Sequence, residues 1–267
     1  MIRGLYTSGW SMLANTRKLD VITNNMANVN TTAYKKDTVV FESFPSVLTK
    51  RINDTRSPLN PSGNIGSMQL SSDVGEVYTY YTQGQLAQTG SKLDFAIKDD
   101  GSNIDTSPAF FTIGVMDEGG NNNSINEYYT KDGSFTINAN NQLVTKEGYF
   151  VLGEKGPVTL SSAEFTVNEK GEILQNGEIV DKLRIAQFSD AAKLRKFGNN
   201  LIQNTDSEAV DFTGSVVQGY TEQSNVNVVD EMVDMITVMR AYEASQKVLQ
   251  AQDSSLEKTV TEVGVVR

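Results

Sequence analysis

Apolar residues recur every seven positions at both ends of the chain, and in short turn-bounded runs between them. Near the N-terminus Leu5, Met12, Leu19 and Met26 lie seven apart, with Ile22 and Val29 filling the other half of the stripe. A sevenfold repeat keeps one narrow seam facing a partner helix. It predicts a helix over 3–28, about 39 Å long. At the other end Val228, Met235, Tyr242, Leu249, Leu256 and Val263 continue the same period, widened by Met232, Met239 and Val260. A helix over 226–263 would reach about 57 Å. Ser224, Asn225 and Asn227 are candidate N-caps, and Asp230, Glu231 and Asp234 suit the positive end of the dipole. Glu243 and Lys247 stand one turn apart as a favourable pair, while Gln246 and Asp253 wet the edge of the stripe. One such stripe would mark an ordinary core helix. Two of them, enclosing a β-like middle, predict terminal helices that pair with each other or with neighbouring chains.

Residues 31–75 read as a connecting region. Asn53–Asp73 is rich in Ser, Asn, Pro and Gly, and Pro58 and Pro61 bar a regular helix. It reads equally as a flexible loop or as a contact segment that orders on assembly. From 76 to 215 short β-rich runs appear at Ala109–Val115, Ser134–Ile137, Gln142–Thr145, Tyr149–Leu152 and Glu164–Val167. Turn signals fall at Asp132-Gly133, Asn140-Asn141, Lys170-Gly171 and Asn176-Gly177, the last a hairpin signal between Ile173-Leu174 and Ile179-Val180. A short helical piece is expected near Asp190–Lys196. The fold class is therefore α+β: paired N- and C-terminal coiled-coil-like helices plus a central all-β domain. The expected divisions are 1–30, an N-terminal helix; 31–75, a connecting segment; 76–215, a β-rich domain; and 216–267, a C-terminal helix.

Composition narrows the chemistry. The 267 residues contain no His and no Cys. That excludes Ser–His–Asp and Cys–His nucleophiles, His-based general acid/base work, zinc sites of His or Cys, and disulfides. The net charge of −10 argues against a phosphate-binding face and so against nucleic acid. Met1–Asp20 has no apolar run of seven, which speaks against a secretory leader, and no stretch approaches the roughly 18 apolar residues of a membrane span. A soluble chain is expected, and any route out of the cytoplasm would need no cleaved leader.

Candidate chemistry is thin. Asp99-Asp100, Asp117-Glu118 and Asp230-Glu231 could in principle serve a carboxylate-dependent cell-wall glycan hydrolase, but among 33 acids such neighbours arise by chance and read as solvated faces. Counting a calcium loop from Asp99 puts Ile104 and Phe110 where Gly and Glu are needed. Gly114, Gly119 and Gly120 form no phosphate loop. Trp10, the single Trp, reads as a packing residue. No catalytic, cofactor or metal residue is assigned.

Both ends carry longer signatures. Leu19–Lys35 (LDVITNNMANVNTTAYK) resembles the N-terminal signature of the bacterial flagellar basal-body rod and hook proteins, of the form L-D-V-x-x-N-N-[LIM]-A-N-x-x-T-x-[GA]-[FY]-K; Asn24, Asn25, Asn28 and Tyr34 are its marked positions. Gly219-Tyr220 and Ser224–Ile236, followed by Arg240-Ala241-Tyr242-Glu243, resemble the C-terminal signature, with Ser224, Asn225, Asn227 and Arg240 marked. Leu93–Ile97, Tyr129–Phe135 and Gln142–Tyr149 resemble the β-domain landmarks of that family. One departure is local: Ser102–Ala109 separates Asp100-Gly101 from Phe110-Phe111, which the family usually joins directly. Length and the single β domain are more similar to a rod protein than to the longer hook protein, and the Met239–Glu243 and Asp20–Asn25 segments are more similar to the distal than to the proximal rod type.

The resemblance implies a structural subunit with no enzymatic activity and no cofactor. Its terminal helices would form an inner tube beneath an outer β domain. It implies export unfolded by the flagellar type III apparatus, helical polymerisation into a drive shaft, and torque passed to the hook. The implied partners are copies of itself, other rod proteins, the hook protein and rod-surrounding rings, with no nucleic acid and no small-molecule substrate. The expected assembly residues are Leu5, Met12, Leu19, Ile22, Met26, Val228, Met235, Tyr242, Leu249, Leu256 and Val263. Because a narrow stripe buries little surface in a lone chain, these helices are expected to fold mainly on assembly. A soluble adhesin would leave both terminal signatures without a role.

Overall fold

A computed structural model describes residues 2–50, 64–99, 107–116, 125–161, 164–198 and 200–263. The chain is α+β, with a helix near each end and a body that is mainly β. It divides into two units. The helical unit comprises Met1–Met26, Asp37–Tyr78 and Val228–Arg267; the β unit comprises Ala27–Lys36 and Thr79–Asn227.

In the helical unit α1 spans Ile2–Ala27 and α2 spans Val228–Lys258, followed by one π-type stretch over Thr259–Val263. Neither helix contains Pro, so each ladder runs unbroken. Asp230 and Glu231 occupy the first turn of α2 and Lys258 the last, which complements the dipole at both ends. Thr7, Thr16 and Thr23 turn their hydroxyls back onto carbonyls four residues earlier in α1.

The connecting region is more regular than its composition suggests. It contains β1 (Asp37–Ser43), β2 (Val47–Lys50), β3 (Asn64–Met68) and β4 (Ser72–Thr79). β1 pairs with β4, and β2 pairs antiparallel with β3. The loop reading of 53–73 is thus corrected for β3, which a two-stranded ladder makes extended despite its Gly and Ser. Residues 51–63, including Pro58 and Pro61, lie outside the described residues.

The β unit holds β5 (Leu86–Gln88), β6 (Phe95–Lys98), β7 (Ala109–Met116), β8 (Ile125–Thr130), β9 (Phe135–Ile137), β10 (Leu143–Thr145), β11 (Phe150–Gly153) and β12 (Gly156–Pro157). It continues with β13 (Thr166–Val167), β14 (Glu172–Gln175), β15 (Glu178–Lys182), β16 (Ile185–Phe188), β17 (Leu194–Gly198), β18 (Leu201–Asn204), β19 (Ala209–Val210), β20 (Ser215–Gln218) and β21 (Tyr220–Glu222). The main sheet runs β17-β18-β8-β7-β11-β10-β9, with β16 also on β7.

β7 is its centre, and Ala109 through Gly114 are all buried. Successive strand residues face opposite ways. Ala109, Phe111 and Ile113 therefore enter one apolar cluster with Phe95, Phe135 and Phe165, while Phe110 enters a second with Tyr81 and Phe188. The expected 173–180 hairpin is β14–β15, with Leu174 opposite Ile179. Its turn residues Asn176 and Gly177 have φ of 53° and 87°, as a type I′ turn requires. The helical piece near 190–196 is a single 3-10 turn, Ala191–Lys193, capped by Asp190.

Candidate assembly surface

α2 presents two unlike sides. Half-buried or buried positions run Val228, Glu231, Met235, Val238, Ser245, Leu249, Gln252 and Leu256, alternately three and four apart, with Tyr242 at the rim. The expected residues Val228, Met235, Leu249 and Leu256 all lie on this covered side. Met232, Met239 and Val260 do not widen it; their side chains are exposed, because each points away from the covered column. The Val263 side chain lies outside the described residues.

The covered column meets α1 at three levels. Asn25 Nδ2 donates to Glu231 Oε2 at 3.3 Å, and the Ser11 and Ser245 hydroxyls lie 3.4 Å apart. A side chain at Gly4 would overlap the amide of Gln252. The two numbers of every pair add to 256, so the helices run antiparallel in one constant register. On α1 this seam passes through Gly4, Ser11 and Asn25. The expected stripe of Leu5, Met12, Leu19 and Met26 flanks it, half-buried, and Ile22 is buried. Sequence reasoning missed the seam because its alternate positions are Gly, Ser, Asn, Glu and Gln. Constant heptad spacing from the apolar half was the only available signal.

Glu231 overturns the solvated reading of the Asp230-Glu231 pair: its side chain is 1% exposed. Asn25 supplies a donor to it within that buried site. The same Asn25 amide also donates to the Asp37 carbonyl at 2.8 Å and accepts from the Asp37 N–H at 3.0 Å. One side chain thus ties the end of α1, the start of β1 and the first turn of α2.

Apolar exposure is concentrated in this unit. Among the described residues, 23 large apolar side chains are exposed, and 18 belong to the helical unit. Of the buried apolar residues, only Ala14, Ile22, Val39 and Val238 belong to it. On α1 the exposed group is Tyr6, Trp10 and Leu13; on α2 it is Val229, Met232, Val233, Ile236, Met239, Tyr242 and Val248. Trp10 packs edge-on against Phe44 at 5.1 Å and remains partly exposed.

The other signature residues, apart from Asn24 and Arg240, belong to the β unit. Ala33 sits at φ 56°, a left-handed conformation that disfavours bulky side chains. Its N–H donates to the Glu222 carbonyl at 2.8 Å. Tyr34 is buried, with the Lys196 ammonium 4.5 Å from its ring. Asn225 is not a helix cap: its Oδ1 accepts from the Lys36 N–H, and its Nδ2 donates to Tyr80 and Thr82 oxygens. Ser224 accepts from the Val226 N–H. Asn28 accepts from the Thr31 hydroxyl. Asn24, Asn227 and Arg240 are exposed.

Three charges, Lys35, Lys131 and Glu222, are buried in the β unit, with Asp99 half-buried beside them. Lys35 Nζ donates to Glu222 Oε1 at 2.5 Å and to the Thr82 carbonyl at 2.7 Å. Lys131 Nζ donates to Asp99 Oδ2 at 2.5 Å and lies 3.9 Å from Glu222 Oε2. Two cations and two acids balance, which is the condition for keeping charge out of water. Burial, aided by Lys131, lowers the Lys35 pKa from 10.5 to about 8, against the pull of Glu222 and Asp99. Asp99 is therefore a structural partner of Lys131; Asp100, Asp117, Glu118, the remainder of the calcium-loop stretch and most of the 102–109 departure lie outside the described residues.

Among the described residues no group of three or more acids could hold a metal, and no helix is long and apolar enough to cross a membrane.

Comparison with known proteins agrees at both ends and in the middle. Residues 5–35 match the flagella basal body rod protein family, 109–179 the flagellar hook protein FlgE/F/G D1 domain, and 217–262 the flagellar basal body rod FlgEFG protein C-terminal region. The flagellar hook-basal body complex protein FlhO of Bacillus subtilis is 30% identical, covering 100% of both chains. The flagellar basal-body rod protein FlgG of Buchnera aphidicola subsp. Baizongia pistaciae is 33% identical over 97% of this chain and 98% of its own. FlgG of Agrobacterium fabrum is 32% identical over 94% and 96%. Signature residues, β-domain landmarks and full-length similarity converge: the chain belongs to the flagellar basal-body rod protein family and is most like the distal rod protein FlgG.

Proposed function

We propose that this chain is a structural, non-enzymatic subunit of the flagellar rod, polymerising helically through its terminal helices and passing torque to the hook. One observation carries the reading: among its described residues the helical unit exposes 18 large apolar side chains and buries only four apolar residues. A unit so short of core gains most of its stability from apolar burial elsewhere. Neighbouring copies supply that burial. The α1–α2 pair acts as a coiled-coil-like hairpin in an inner tube, formed by 1–30 and 216–267. Residues 31–75 connect it to an outer β domain over 76–215. Other rod proteins, the hook protein and rod-surrounding rings are the further partners. Export by the flagellar type III apparatus, without a cleaved leader, delivers the chain to the basal body.

Imaging basal bodies from a strain lacking the chain tests the reading. Truncated shafts and lost swimming, both restored by the wild-type chain, are expected. Shafts of full length in swimming cells would refute it. A cell-wall zymogram of the purified chain should be blank; a cleared band would favour the hydrolase.

A further inference from the structure

The Ala27–Lys36 stretch interrupts the helical unit. The chain leaves that unit after Met26, re-enters it at Asp37 and leaves again after Tyr78. Asn25 closes the neck of this ten-residue excursion through its two bonds to the Asp37 backbone.

Beyond the neck the β unit holds the excursion from several sides. The Thr32 hydroxyl donates to Asp132 Oδ2 at 2.8 Å, and the Thr32 carbonyl accepts from Asn200 Nδ2 at 2.9 Å. The Ala33 N–H donates to the Glu222 carbonyl, and the Tyr34 carbonyl accepts from the Asn225 N–H at 3.3 Å. The Lys35 carbonyl accepts from Lys196 Nζ at 2.7 Å, and the Lys36 carbonyl from the Tyr80 N–H at 2.9 Å. The Lys35 ammonium adds its bonds to Glu222 and Thr82. Ala33, Tyr34 and Lys35 are buried. These partners come from four separate stretches, 80–82, 132, 196–200 and 222–225, and all belong to the β unit.

Buried backbone needs partners for its polar groups, which is why most loops stay on the surface. Here one chain supplies those partners, with side chains as well as backbone, and the contact is complete without a neighbouring copy. The helical unit differs, since its exposed apolar side chains await partners. Resting for its second half on the rod reading above, we infer that residues 27–36 form a plug that is seated in the β unit of the free chain and stays seated through assembly. Because Asn25 closes the neck, a seated plug holds the end of α1 beside the start of β1 before any neighbour arrives. That lowers the ordering cost that each incoming copy must meet.

The absence of Cys makes the test direct. The Thr32 and Asp132 side-chain oxygens lie 2.8 Å apart, which puts the two positions within disulfide reach. Full-length Thr32→Cys/Asp132→Cys chains are oxidised before assembly. Most copies should lose both free thiols to an internal disulfide, and the locked chain should polymerise at the same concentration as its reduced form. In the wild-type free chain the Ala33, Tyr80 and Asn225 amides should exchange as slowly as those of β7, a readout that does not depend on how the Cys variant folds. Thiols that persist in the folded variant, Ala33 exchange as fast as that of α1, or a locked chain that polymerises only after reductant is added would each overturn the plug and leave the rod reading intact. A wild-type chain that never polymerises overturns the rod reading, and the second half of the inference with it.

Discussion

Asn25 Nδ2 lies 3.3 Å from Glu231 Oε2, so a signature residue near the end of α1 holds a buried carboxylate at the start of α2. The pair explains why an amide suits this position in α1. It supplies a donor to Glu231, and a donor and an acceptor to the Asp37 backbone.

Replacing Asn25 by Ala removes those bonds from a buried site and should cost about 1–3 kcal/mol. The loss should appear as a clearly higher protein concentration needed for assembly, measured by sedimentation. Asn25→Asp should be worse, since it sets a second carboxylate against Glu231. Unchanged assembly in both variants would contradict the role of the pair.

The Lys35–Glu222 pair should dominate the stability of the buried charge cluster of the β unit. Lys35→Met leaves Glu222 buried beside only the Gly84 N–H and the more distant Lys131. It should destabilise by about 3–5 kcal/mol in chemical denaturation. Removing both charges in Lys35→Met with Glu222→Leu should recover most of that loss.

Lys35 also sets a pH dependence with an unusual sign. Its folded pKa is lowered to about 8, below its ordinary 10.5. Between those values the unfolded chain binds more protons than the folded one, so stability from this group rises with pH. The gain is absent below about 8 and complete above 10.5, and amounts to about 3 kcal/mol. Melting curves of wild type and Lys35→Met across this window should differ by that rise. A wild-type loss of stability through the same window, absent in the variant, would contradict it.

Ala33 holds a left-handed conformation, with φ 56°. Gly tolerates it without the Cβ penalty, so Ala33→Gly should stabilise the β unit by about 1 kcal/mol. Ala33→Val should destabilise by more than that. Equilibrium denaturation decides both.

Leu256→Asp places a charge on the half-buried face of α2, far from the β unit in sequence. Polymer should fail to form while the β unit keeps its unfolding midpoint. Normal polymer from this variant would contradict the need for an intact α1–α2 seam in assembly.

Much of this arrangement was legible in the residues. The 228–256 period identified the covered side of α2, and the Asn176-Gly177 turn identified its hairpin. The other half of the seam was hidden because Glu231, Ser245 and Gln252 are polar. Apolar periodicity sees burial only where burial is apolar. β1 and β4 were hidden because they are narrow ladders with exposed faces, whose Asp, Glu, Ser and Gly resemble loop composition. Lys35 and Glu222 stand 187 residues apart, and only the folded β unit brings them together.

Amide hydrogen exchange, run on free and assembled chains side by side, tests most directly whether the helical unit depends on its neighbours. In free chains α1 and α2 should exchange fast while β7 and its sheet stay protected, and assembly should slow both helices. Helices as protected in the free chain as β7, with no change on assembly, would contradict that dependence.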